Sequence, residues 1–311
     1  MHNGTGLFFW GFLVVYGIVM FAISPKAVTI GGFFKGTDKK GRAASSLMVT
    51  SSVFIAWIFA KSVYNCANMG YSYGIVGGIG YAVYWLCIPL TGFAIYRLRR
   101  RFAAKSMTDF LTSNYGVAAA FCFSAAILVR LFNEVWSNTS VIGGYYGESG
   151  SKPFVIAALL FTAITLGYSC WGGLRSSLIT DVLQAGLFVV LLVFTIFWIL
   201  PEHPMSASWK MDAGVDFVLG ALLQCLSYGF HDAVLTDRGF ICEEKKMLKC
   251  FTVAGLLGFL AITLFSLIGV DAMLSGLENV TDAAQAVAQG MGIAAFFLMA
   301  IMMVMCGGST L

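Results

Sequence analysis

The chain has 311 residues, of which 59% are hydrophobic and only 11% charged. A soluble domain carries about 25% charged residues, so this composition belongs to an integral membrane protein. The net charge of +4 is too small and too dispersed to imply nucleic-acid binding, and the eight cysteines form no CxxC or Cys/His spacing that would hold zinc or a disulfide framework.

Hydropathy predicts nine helical spans, at about 7–24, 45–69, 73–96, 115–139, 154–171, 177–200, 215–236, 249–272 and 289–311. The first lacks a basic leader and a small-residue cleavage site, so it reads as a retained helix. The fifth is short, and the second and seventh carry polar interruptions. Arg99–Arg101 and the other basic residues sort by side. Fifteen Lys/Arg fall in the loops after spans one, three, five and seven, against Lys152 and Lys210 in the alternate loops. The positive-inside rule then puts the N-terminus outside, in a bacterial inner (plasma) membrane, with the basic runs anchored on anionic lipid. Arg238 is counted here among the cytoplasmic loop charges. The chain stops at Leu311 inside an apolar run, which reads as the front part of a longer chain.

The second span is the informative one. Its Lys61 lies near mid-depth, where an ammonium costs about 2.5–3.5 kcal/mol and needs a partner or a wet cavity. Trp57, Lys61, Asn65 and Asn68 recur at helical spacing on one stripe, and the Ser, Asn and Gly residues around them allow the helix to loosen. This predicts a ligand-facing helix; a lysine snorkelling or paired within a bundle is the other reading. The remaining ionisable groups within spans are Arg130, Glu134, Asp181, His231 and Asp232. Arg130 and Glu134 sit at i,i+4, the spacing of an ordinary helical ion pair. Asp232 is the preferred partner for Lys61, with Glu134 as the alternative. His231 is either simply hydrogen-bonded or a proton relay. Trp57, Tyr64 and Tyr228 lie beside the predicted breaks and are expected to line a substrate cavity. Asp181 reads by itself as an acid capping the N-terminus of a helix. No Walker loop is present, so ATP-driven transport by this chain is disfavoured.

Three stretches resemble the sodium:solute symporter family. Gly172-Gly173-Leu174-Arg175-Ser176-Ser177-Leu178-Ile179-Thr180-Asp181-Val182-Leu183-Gln184 is similar to its GGLxAVxxTDxxQ signature. Cys306-Gly307-Gly308-Ser309-Thr310 resembles its eighth core helix, where a small residue precedes a Ser/Thr pair by three positions. Ser45–Gly74, followed by Gly77-Gly78, is placed like its first core helix. The resemblance implies an all-α membrane protein with a LeuT-like inverted repeat of five plus five helices. Residues 1–44 would hold an extra N-terminal helix and a cytoplasmic loop, 45–200 the first repeat, and 215–311 a second repeat truncated after its third helix. Such a chain is expected not to transport on its own.

The resemblance further implies Na+ as the coupling ion, held by Ser309, Thr310 and carbonyls near Ile58, Lys61 and Cys306, with Asp181 on a cation pathway. The substrate would be a small polar solute facing Trp57, Lys61, Tyr64, Asn65, Asn68, Tyr228, His231 and Asp232. Departures are Lys61, near a position that is apolar in the sugar symporters, and His231-Asp232, where those carry Asn-Gln. The function implied is cation-coupled symport by alternating access, with no covalent chemistry. The partners are solute and lipid, with no nucleic acid and the oligomeric state open. Two rivals stand beside it: a sensory input module of a histidine kinase, and a proton-coupled transporter.

Overall fold

The computed structural model describes residues 3–199 and 211–310, with side chains over 6–198 and 214–309. These residues form helices joined by turns, with no strand among them. The first, α1 (Asn3–Ile23), is apolar around most of its surface, as a helix bathed in lipid must be. A short helix α2 (Ile30–Lys35) follows in the basic loop. The Thr29 hydroxyl accepts from Gly32 N at 3.0 Å to start it, and the left-handed Gly36 ends it.

The second span is two helices. Ser45 caps α3 (Ser46–Ile55), the backbone unwinds over Ala56–Phe59, and α4 (Ala60–Ala82) resumes the course. Within α4 the chain doubles back at Gly74 (φ 66°), so that the Asn65 amide meets the Tyr81 hydroxyl at 3.2 Å. A 3₁₀ turn at Val83–Leu86 leads into α5 (Cys87–Phe102), and α6 (Met107–Tyr115) occupies what the sequence reads as loop. Then come α7 (Val117–Gly144) and α8 (Lys152–Ile199).

At 48 residues α8 would run about 70 Å if straight, more than twice the bilayer core. It reverses at Gly173 (φ 57°), which separates the predicted fifth and sixth spans. A side chain at Gly173 would strike the Phe33 backbone at 2.6 Å, so α2 closes over this turn. The seventh span is again broken. Helix α9 (Met211–Tyr228) gives way to a 3₁₀ turn at Gly229–His231 and then to α10 (Ala233–Arg238). Helices α11 (Glu244–Leu274), α12 (Ala283–Gly290) and α13 (Ile293–Thr310) complete the described chain.

Helix α11 lies backbone-to-backbone against α4. A Cβ at Gly269 would fall onto the Ala67 carbonyl, the close approach that small residues allow between membrane helices. The core so formed contains Trp57, Trp85, Phe161, Tyr168, Phe188, Phe251 and Phe265, all almost fully buried. Among the described residues, five helical stretches are long and apolar enough to cross a membrane, two of them the doubled-back α4–α5 and α8.

Candidate functional site

The unwound segment Ala56–Phe59 organises the site. Its four residues are apolar and buried, so its freed backbone groups, and not its side chains, supply polarity. At its inner edge the Ser309 hydroxyl lies 3.0 Å from the Ile55 carbonyl and 2.8 Å from that of Cys306. Tyr168 fixes the same end of α13 by donating to the Gly308 carbonyl at 2.7 Å. One hydroxyl and two carbonyls, all neutral, converge where two helix ends meet, the donor set a hard cation prefers. The sequence places the contribution of the broken helix near Ile58 and Lys61. The structure brings Ile55 to Ser309, because the break starts before Lys61 and leaves it in the first turn of α4. There its backbone N–H donates to Asn138 Oδ1 at 3.1 Å. The Thr310 side chain lies outside the described residues.

On the other side of the break is a cavity of about 170 Å³. Trp57, Lys61, Asn65 and Tyr228 line it as expected, together with Phe59, Ser62, Tyr81, Tyr84, Trp85 and Gln224. Tyr64 and Asn68 do not line it. Both donate to the Thr281 carbonyl, at 2.8 and 3.1 Å, and Asn68 Oδ1 accepts from Ala283 N at 2.9 Å. They tie α4 to the segment leading into α12, and Tyr64 lines a wider space of about 1750 Å³ that Lys61 and Asn65 also line. The cluster Tyr81–Trp85 was not singled out by the sequence, where aromatics near a span end read as interfacial belt. The signal that finds it is the doubling-back at Gly74, which returns those rings to Asn65.

The predicted pairing of Lys61 with Asp232 does not occur. Arg130 Nη2 holds Asp232 Oδ2 at 2.9 Å and Glu134 Oε1 at 3.3 Å, with its guanidinium 4.5 Å from the Tyr228 ring centre. The i,i+4 reading of Arg130 and Glu134 is therefore met, with Asp232 added as a third member. Asp232 also caps α10, its Oδ1 accepting from Leu235 N at 2.9 Å. Lys61 Nζ instead donates to the neutral amide of Asn133 at 3.1 Å. Neither His231 nor Asp232 lines the cavity. His231 stands edge-on to Tyr228 behind it, with Nδ1 buried and unpaired.

A second buried ionic cluster lies where α3, α8 and α10 meet. Arg238 Nη2 is 3.3 Å from Asp181 Oδ2 and 3.1 Å from Ser177 Oγ, and its Nε donates to Ser52 Oγ at 2.5 Å. Ser52 in turn donates to Asp181. Two expectations are corrected here. Asp181 is not a capping acid, because it lies inside α8, eight residues past the Gly173 reversal. Arg238 is not a loop charge; it is 6% exposed and paired.

No protein-family profile matches the chain. Over 176 residues it is 24% identical to a probable urea active transporter 2 of Schizosaccharomyces pombe, covering 54% of this chain and 25% of that protein. Over 192 residues it is 23% identical to the sodium/pantothenate symporter of Escherichia coli, covering 59% and 39%. The chain thus spans between a quarter and two fifths of the curated relatives it matches. Its fold matches a substrate-bound, outward-open Na+-coupled sialic acid symporter with a TM-score of 0.72, over 97% of this chain and 70% of that one, at 15% identity. These relatives are membrane transporters, and the fold is that of an all-helical symporter. In sequence and in fold the chain resembles the sodium:solute symporters.

Proposed function

We propose that the chain forms the ligand-binding part of a secondary active transporter that moves a small polar solute together with Na+ by alternating access. The observation that carries this reading is the helix break at Ala56–Phe59. A cluster of neutral oxygens from Ile55, Cys306 and Ser309 lies on one side of it, and a solute-sized cavity lies on the other. A cation and a solute bound to the two sides of one unwound segment would each stabilise the same arrangement of α3, α4 and α13, which is the thermodynamic content of coupling. In this reading Asp181 lies on the inner route of the cation, and opening that route requires Arg238 to release it. The names of the relatives support symport but differ in solute, so they do not choose one. The five-plus-five repeat, the outside N-terminus and the inner-membrane location belong to the same proposal, supported by the loop charges and the symporter fold.

The test is thermal unfolding of the purified protein at constant ionic strength, with Na+ exchanged for K+. A saturable rise in Tm with Na+ is expected, and Ser309→Ala should shift its midpoint upward. Identical Tm values in the two salts would overturn sodium binding. The buried, unpaired Nδ1 of His231 beside Tyr228 favours proton coupling as the second reading. Uptake at fixed pH that is indifferent to Na+ would select it.

A further inference from the structure

The charge balance of the cavity is one-sided. Among its lining residues stands one ammonium, Lys61, and no carboxylate. Arg130 holds both Asp232 and Glu134 in direct ion pairs, and the Lys61 charge acts on Glu134 only from a distance, outside ion-pair contact. Among the described residues, Lys61 Nζ hydrogen-bonds to a neutral amide, that of Asn133, at 3.1 Å. Lys61 also lines the wider outer vestibule of about 1750 Å³, so it stands where that space meets the cavity.

From these features we infer that the solute is a small carboxylate, its anionic group held by Lys61 and its apolar body lying among Tyr81, Tyr84 and Tyr228. The inference rests on the transport reading for its choice of site. The volume resembles the roughly 150 Å³ cavities that hold a benzene-sized guest, which limits the enclosed part of the solute to about six non-hydrogen atoms. The aromatic wall by itself would equally suit an organic cation. Charge decides against that. A cation would meet the Lys61 ammonium, and the Tyr228 ring already carries the Arg130 guanidinium.

Butyrate, butyramide and butylamine, matched in shape and differing in charge, provide the test. Each is titrated calorimetrically into the purified protein at fixed Na+. Butyrate should bind at least about tenfold more tightly than butyramide, and butylamine should not bind detectably. Lys61→Met should bring butyrate and butyramide to parity, while Lys61→Arg, with the charge kept, should retain the preference. Equal binding of butyrate and butyramide, preferred binding of butylamine, or binding of none of the three overturns the inference. A Lys61→Met protein that still prefers butyrate does so as well. Butyrate affinity that is identical in Na+ and in K+ would leave the carboxylate site standing and overturn the sodium-coupled reading instead.

Discussion

The two broken helices solve one physical problem in opposite ways. At Ala56–Phe59 no side chain is charged and all are buried, and the Ile55 carbonyl, which accepts from Ile58 N, also meets a hydroxyl from α13, Ser309. At Gly229–Asp232 the last two side chains, His231 and Asp232, are polar: Asp232 caps the helix that follows and is charge-paired to Arg130. Neutral oxygens can exchange a hydroxyl proton contact for a passing cation at small cost, whereas a buried ion pair resists any change of partner. The first break is built to bind and release, and the second to stay put. Helix α10 shows the second strategy twice, being tied by Asp232 at its start and by Arg238 at its end.

The largest effects should come from stranding a member of the fixed clusters. Arg238→Met leaves the fully buried Asp181 with only Ser52 and Ser177, and should cost about 3–5 kcal/mol. Asp181→Asn combined with it should recover most of that loss. Thermal unfolding of the four members of this cycle checks it, and additive losses would show that the two residues are not coupled. Arg130→Met strands Asp232 and Glu134 together. Its cost should be somewhat smaller, about 2–4 kcal/mol, because the Arg130 side chain keeps 14% exposure against 7% for Arg238. Lys61→Met and Asp232→Asn, by contrast, should combine additively, since Asp232 belongs to Arg130. A large coupling energy between them would restore the pairing that the sequence alone suggests.

The flexible break should respond in function and little in stability. Ser309→Ala removes one hydroxyl oxygen from the cluster and a hydrogen bond worth about 1 kcal/mol. The Na+ concentration giving half the maximal stabilisation should rise about fivefold, with the Na+-free Tm moved by only a degree or two. An unchanged Na+ midpoint would remove Ser309 from the cation site.

The contrast between the breaks was half legible in the sequence. Hydropathy found the spans, and the interrupted second and seventh spans are the broken ones, because membrane helices announce themselves by length and apolarity. The position of the first break was not legible. Ser, Asn and Gly beyond Lys61 look like the weak point, yet the backbone unwinds at Ala-Trp-Ile-Phe. What supports it is Ser309, 254 residues away, and no local propensity contains that contact. Charge partners failed for the same reason: Lys61 and Asp232 are each unusual in a span, but which cation reaches Asp232 depends on how α7 is rotated. Helices α2, α6 and α12 escaped a reading based on hydropathy because they are short and mixed. Their capping residues Thr29, Ser106 and Asp282 were the available signal.

The smallest effect concerns Asp282, which has the cap geometry of Asp232 without its cation. Each carboxylate accepts from the backbone N–H three residues on, Leu235 or Gln285, at 2.9 Å. Among the described residues no basic side chain pairs with Asp282. Shielding from water, only partly offset by its bonds from Gln285 and Ala284, pushes its pKa up to about 6 from an ordinary 3.8. A carboxyl whose pKa is raised on folding favours the native state when protonated. That contribution is complete below the unfolded value near 3.8 and is lost as pH rises through about 6. After allowance for solvent at its outer edge it should amount to about 1 kcal/mol. Asp282→Asn keeps the cap, since Asn serves there as well as Asp, and removes the titration. The Tm of the parent should therefore fall relative to that of the variant between pH 4 and pH 7, with the variant the more stable at neutral pH. Parallel curves would mean that Asp282 is ionised across the whole range, and that a cap at the rim needs no cation.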